Sequence, residues 1–164
     1  MKGLLVVVGM MAVVAVQSQV PFKLDVALEH VSGDSWNLVM DLDIGEGDWV
    51  VSALSTDSMF GKVDVDFLWP AQIQIAGPMQ EDPPSKEEVE RFSQLEIQVL
   101  REDTRMVLPL TLTGMPTVVW KGRIWFVLEP LCMPFSTDFD VVPDGRGGVV
   151  VQRVATHLDW PPGR

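Results

Sequence analysis

The residue with the sharpest chemistry in this chain is its single cysteine, Cys132. In thiol–disulfide exchange a thiolate attacks a disulfide and passes through a mixed intermediate, which a neighbouring thiol then resolves. One sulfur cannot run that cycle within a chain. Cys132 is left with a mixed disulfide to a partner, a bridge between two copies, or an inert, semi-buried place between Leu131 and Met133. No Lys, Arg or His stands within six residues to favour the thiolate. An apolar setting raises a thiol's pKa, and Glu129, if close, pushes it the same way.

The remaining candidates are weaker. Carboxylates two residues apart occur at Asp41/Asp43, Asp64/Asp66 and Asp138/Asp140. Each pair shares one face of a strand and offers oxygens to a hard cation, but Ca²⁺ wants six to eight of them. The plain reading is a solvated strand face. The two histidines are His30 and His157. His157 and Asp159 make a base–carboxylate pair, but no serine is singled out to complete a triad, and the spacing fits no zinc site. Six Trp and no Tyr are present. Trp49, Trp120 and Trp125 are candidates for a sugar-stacking platform, although Trp120 and Trp125 face opposite ways along one strand. Core packing is the plain alternative. Gly145 to Gly148 lacks the Lys-Ser/Thr of a phosphate loop and reads as a hairpin connection.

The elements that must position these residues are strands. Phe22, Leu24, Val26 and Leu28 alternate with Lys23, Asp25, Ala27 and Glu29. The same period of two runs through Leu38 to Ile44, Val63 to Trp69, and Leu95 to Val99, with further strands expected over 104–113, 117–128, 139–142 and 149–154. Successive strand side chains point to opposite faces, so each segment offers one face to a core and one to water. Ser32-Gly33-Asp34-Ser35 and Asp144 to Gly148 read as hairpins, and Lys121-Gly122 as a bulge or tight turn. Ser85 with Glu88 has the capping-box spacing, which predicts at most one short helix. About nine strands in about 146 residues fit an all-β, immunoglobulin-like antiparallel β-sandwich, with a closed barrel as the alternative.

Residues 1–18 read as a signal peptide. Met1-Lys2 is followed by an uncharged apolar run to Val16, and Val16-Gln17-Ser18 suits a cleavage site. An uncleaved anchor is the lesser reading, because the run is about 14 residues and a span needs roughly 20. The folded domain is then expected over 19–158, with a frayed tail over 159–164. That implies a periplasmic or secreted protein without stable membrane insertion. A net charge of −11 repels phosphate backbones and disfavours nucleic acid. No cofactor is indicated.

Three segments together carry a family resemblance. They are Gly47-Asp48-Trp49-Val50-Val51-Ser52, the Val63 to Gly77 strand pair leading into Glu81-Asp82-Pro83-Pro84, and Trp120 to Pro134 followed by the strand Phe139 to Val142. In this order the chain resembles the N-terminal periplasmic domain of the thiol:disulfide interchange protein DsbD, over roughly residues 22–142. The resemblance implies an immunoglobulin-like fold and a loop with two redox cysteines. Cys132, with Pro134 after it, falls on the second cysteine. The first falls near Val127 to Glu129, where no cysteine stands. The expected function is therefore a redox-inactive interaction module that meets an exported protein. Its binding candidates are Cys132, Pro134, Trp49 and Trp125, and Cys132 is the one weak catalytic candidate. The alternatives are a single-cysteine thiol partner and a carbohydrate-binding sandwich.

Overall fold

The computed structural model describes residues 20–56, 61–68, 71–91 and 93–159. The signal peptide read over 1–18 and residues 160–164 of the expected tail lie outside them. Among the described residues there are twelve strands: β1 (Phe22–Ser32), β2 (Ser35–Ile44), β3 (Trp49–Val51), β4 (Asp64–Phe67), β5 (Ile73–Ile75), β6 (Gln80–Asp82), β7 (Lys86–Val89), β8 (Glu96–Leu100), β9 (Thr104–Leu112), β10 (Trp120–Glu129), β11 (Met133–Pro143) and β12 (Val149–Leu158). They form two antiparallel sheets. One runs β1-β2-β9-β5 with β6 also on β9, and the other runs β12-β11-β10-β3-β8-β7 with β4 also on β10. This is the immunoglobulin-like sandwich, not a barrel, and no helix occurs among the described residues.

The alternation in the sequence explains the layers. Leu38, Met40 and Leu42 from β2, Met106 and Leu110 from β9, and Ile124, Phe126 and Leu128 from β10 close the space between the sheets. Phe22 locks the start of β1 into that layer, with its ring edge-on to Phe126 (4.9 Å) and Phe135 (4.8 Å). Pro109 is tolerated inside β9 because β5 pairs with residues 110–112 and β6 with 105–107. Its missing N–H therefore falls at the gap between those two short strands.

Three sequence readings need correction. The residues after Ser85 are not helical: β7 pairs with β8 in a regular antiparallel register. The capping-box groups serve tertiary contacts instead. The Ser85 amide donates to Glu81 and its hydroxyl to Gln98, while Glu88 accepts two bonds from Arg101. The segments from Val63 to Gly77 are not a strand pair, since β4 joins β10 in one sheet and β5 joins β9 in the other. Alternation reports a strand's faces, not its neighbour.

Lys121-Gly122 is neither bulge nor turn, because β10 runs straight through it. Glycine is required there for another reason. The Phe139 ring lies where a Gly122 Cβ would stand, reaching across to Phe67 at 6.1 Å and 90°. Finally, the irregularity of this sheet falls in β12. Asp138 pairs with Ala155 and Asp140 with Gln152, so Arg153 and Val154 together face one residue of β11. Arg153 takes a φ of 48° there, the left-handed conformation that bulges use.

Candidate functional site

β10 and β11 are joined by the short loop Pro130-Leu131-Cys132, entered through a cis peptide bond between Glu129 and Pro130. Cys132 has a φ of 52°, uncommon for a residue with a side chain. The Glu129 carboxylate braces it. One oxygen, Oε2, accepts from the Cys132 amide at 3.3 Å and from the thiol at 3.2 Å. The thiol is exposed, so the semi-buried, apolar setting read from Leu131 and Met133 is corrected. Leu131 itself points out at 63% exposure.

The hydrogen bond to Glu129 pushes the Cys132 pKa above its ordinary value, with burial and the carboxylate's charge adding in the same direction. A thiol that donates to a carboxylate must give up that bond, and gain charge repulsion, to ionise. The arrangement holds an accessible sulfur in its protonated, weakly nucleophilic form. Glu129 belongs to the stretch that the resemblance assigns to the missing first cysteine.

The strands bring one further candidate to this end. Trp49 pairs with Glu129 across β3 and β10. Its half-buried ring packs on Val51, Ile97 and Val99 and is covered by the Arg101 guanidinium at 5.2 Å from the ring centroid. Arg101 is held by Glu88 through two bonds of 2.6 Å. Pro134 is buried beside the loop, where it pairs with Val127 and accepts a 2.9 Å bond from the Asp159 amide. It braces the loop from behind and presents no binding face.

Trp125 stands apart from this group. It lies further along β10, opposite Asp64 and Ser136, with Gly61 packed so closely that a Cβ there would meet its ring. Trp120 is 3% exposed within the core. Trp49, Trp120 and Trp125 therefore form no shared platform: one is covered by an arginine, one is buried, and one is packed under a neighbouring segment. The reading that Trp120 and Trp125 face opposite ways agrees with the strand's burial pattern.

Ser136 is the serine that sequence reasoning missed. It is fully buried, and its hydroxyl donates to the Asp159 carboxylate, whose other oxygen is 3.5 Å from His157 Nε2. Ser and His thus share one carboxylate, and the serine proton is aimed at the acid and not at the base. A triad needs the opposite order. Two of the three carboxylate pairs are engaged by cations: Asp41 with Arg105 and Asp138 with Arg123, while Asp140 is 4.0 Å from Arg153. Arg123 holds the Asp138 carboxyl below its ordinary pKa by a 2.7 Å hydrogen bond. Among the described residues no group of His, Cys, Asp or Glu gathers as a metal site, and no helix is long and apolar enough to cross a membrane.

No family model and no curated protein matches this chain. Among solved structures it is similar to the DsbD N-terminal domain of Neisseria meningitidis in its reduced form, at 15% identity and a TM-score of 0.47, over 82% of this chain and 89% of that one. It is also similar to a chain of the complex between the DsbD N-terminal and PilB N-terminal domains from the same organism, at 14% identity and a TM-score of 0.47, over 80% and 88%.

Proposed function

We propose that this chain is an exported protein-interaction module that meets a protein partner through the loop carrying Cys132 and runs no dithiol cycle of its own. The observation that carries the reading is the Glu129 carboxylate set against an exposed thiol in a chain with one cysteine. Internal resolution needs a second sulfur, and the first step needs a thiolate. This end also offers an exposed Leu131 and, across the strands from Glu129, the Trp49–Arg101 pair, an aromatic–arginine combination of the kind enriched at interfaces. The leader pattern over 1–18 supports export to the periplasm or beyond, with the domain occupying 19–158.

Two measurements test the two halves. Alkylation of Cys132 is followed against pH, with the unfolded chain as reference. At about pH 8 the folded thiol reacts more slowly than the unfolded one, and a faster folded thiol overturns the redox-silent half. A photo-crosslinking residue is then placed at Leu131 and, as a control, at exposed Val150 on β12. Adducts with an exported protein form from position 131 and not from 150. Equal labelling from both removes the docking half.

The exposure of Cys132 favours one second reading, a single-cysteine thiol partner. In that step the Cys132 thiolate attacks a partner's disulfide, one S–S bond forms as another breaks, and one partner thiolate leaves. The partner's own thiol must then release the chain. Incubation with oxidised glutathione checks it by mass. An adduct that forms faster than on the unfolded chain supports this reading, and a slower one discards it.

A further inference from the structure

We propose that the mouth between the two sheets, at the end of the sandwich away from Cys132, is a binding site for a neutral saccharide ring. The cavity there has a volume of about 430 Å³, within the range of small-molecule sites. It opens where the β1–β2 hairpin of one sheet faces the β11–β12 hairpin of the other.

Residue parity marks it as more than a loose end. Phe22, Leu24, Val26 and Leu28 are the inward positions of β1, and His30 is the next in that series. Its cross-strand partner Trp36 likewise follows Leu38 on β2. His30 is exposed, so at this step the inward series has left the core and turns an imidazole to the mouth of the sandwich. Here it tilts against the Trp36 ring at 4.7 Å and 54°, with Nε2 3.0 Å from the Gly33 carbonyl. The two rings form an aromatic wall over a floor that includes Leu112 and Val149.

The rim is rigid and polar. Asp144 Oδ1 accepts from the amides of Arg146 (2.7 Å) and Gly148 (2.9 Å), which fixes the hairpin, and the Leu112 amide ties Asp34 down through its carbonyl at 2.9 Å. A Cβ on Gly148 would stand 2.8 Å from Asp144 Oδ2 and 3.5 Å from Trp36 Cη2, so glycine there leaves the indole edge clear. A preformed site spends little of its binding energy on ordering. Among the described residues, the Asp34 carboxylate and the Arg146 guanidinium make no side-chain hydrogen bond or ion pair, although both line the cavity.

This combination selects a ligand class. An indole face suits the C–H face of a pyranose. A carboxylate accepts from neighbouring hydroxyls, and a guanidinium donates to their oxygens. Two carboxylates against one guanidinium, on a chain of net charge −11, disfavour nucleotides and acidic ligands. A neutral polyhydroxyl ring meets every group without a charge conflict.

The test is titration of the chain with cellobiose and, separately, with diacetylchitobiose, read in amide proton–nitrogen spectra. One of the two sugars moves the Trp36 indole N–H and the Arg146 and Gly148 amides with a midpoint of about 0.1–10 mM. Trp36→Ala weakens binding about tenfold or more. Because that ring also packs on the core, Asp34→Asn is the second variant. It sits on an exposed hairpin and weakens binding about fivefold with the spectrum otherwise kept. Absence of saturable shifts with both sugars, shifts centred on Trp49 or Trp125, or unchanged binding in folded Asp34→Asn each overturns the proposal.

Discussion

The two ends of the sandwich use the same scaffold in opposite ways. At one end a short loop carries an exposed thiol that its own neighbour, Glu129, keeps protonated. At the other, the sheets part around His30 and Trp36, and the flanking carboxylate and guanidinium of Asp34 and Arg146 make no side-chain hydrogen bond or ion pair among the described residues. β11, with its eleven residues, spans the interval, roughly 35 Å of extended chain. The thiol and carboxylate at the first end satisfy one another, whereas the exposed side chains of Asp34 and Arg146 at the second keep their hydrogen-bonding capacity. Exposure alone therefore does not mark a working site; what matters is whether neighbours have already used the group's bonding capacity.

The largest perturbation of that contrast strikes between the ends. Gly122→Ala drives a methyl into the Phe139 ring and costs about 2–3 kcal/mol. Urea denaturation measures it, and both ends lose stability in one transition if they belong to one body. Arg101→Ala alters only the first end. It uncovers Trp49 and releases Glu88, for a loss of about 1 kcal/mol with a red-shifted Trp emission, while the Trp36 indole resonance stays in place.

Glu129→Gln sharpens the comparison further. It removes the carboxylate that raises the Cys132 pKa, so the thiolate fraction at a given pH below that pKa goes up. Alkylation near neutral pH accelerates about threefold or more without loss of fold. An unchanged rate would mean that the thiol owes its dullness to something other than its neighbour.

The smallest effect concerns Arg123 and Asp138. Asp138 has a lowered pKa in the folded chain, so its contribution to stability is present above the ordinary carboxylate value and is lost as pH falls through the lowered one. The pair is half exposed and is worth at most about 0.5 kcal/mol. Arg123→Ala removes that acid-side dependence in melts across pH and leaves neither end altered.

Much of the fold was legible because side-chain parity survives in the sequence. The hairpins at Gly33 and Gly145 and the inward series of β1, β2 and β10 follow from alternation and turn chemistry alone. What failed had a common cause. Ser85 and Glu88 satisfy a local helix rule, yet their bonding groups go to Gln98 and Arg101 on other strands. Gly122 has the composition of a bulge, yet answers to a phenylalanine ring from β11. At the site, the Cys132–Glu129 contact was readable because three residues span one turn. The Arg101 cover on Trp49 and the Ser136–Asp159 bond were not, since strands distant in sequence supply them. His30 carries a signal too, a polar and exposed residue at the step that continues the inward series of β1.

The doubled step in β12 around Arg153 has a further consequence. β12 is the outermost strand of its sheet and carries exposed Val150, Val154 and Leu158, the kind of margin on which foreign chains accrete into fibres. A cationic side chain set at a break in the ladder denies an incoming strand a continuous row of amide partners. The break thus works against edge-to-edge polymerisation along an oily border.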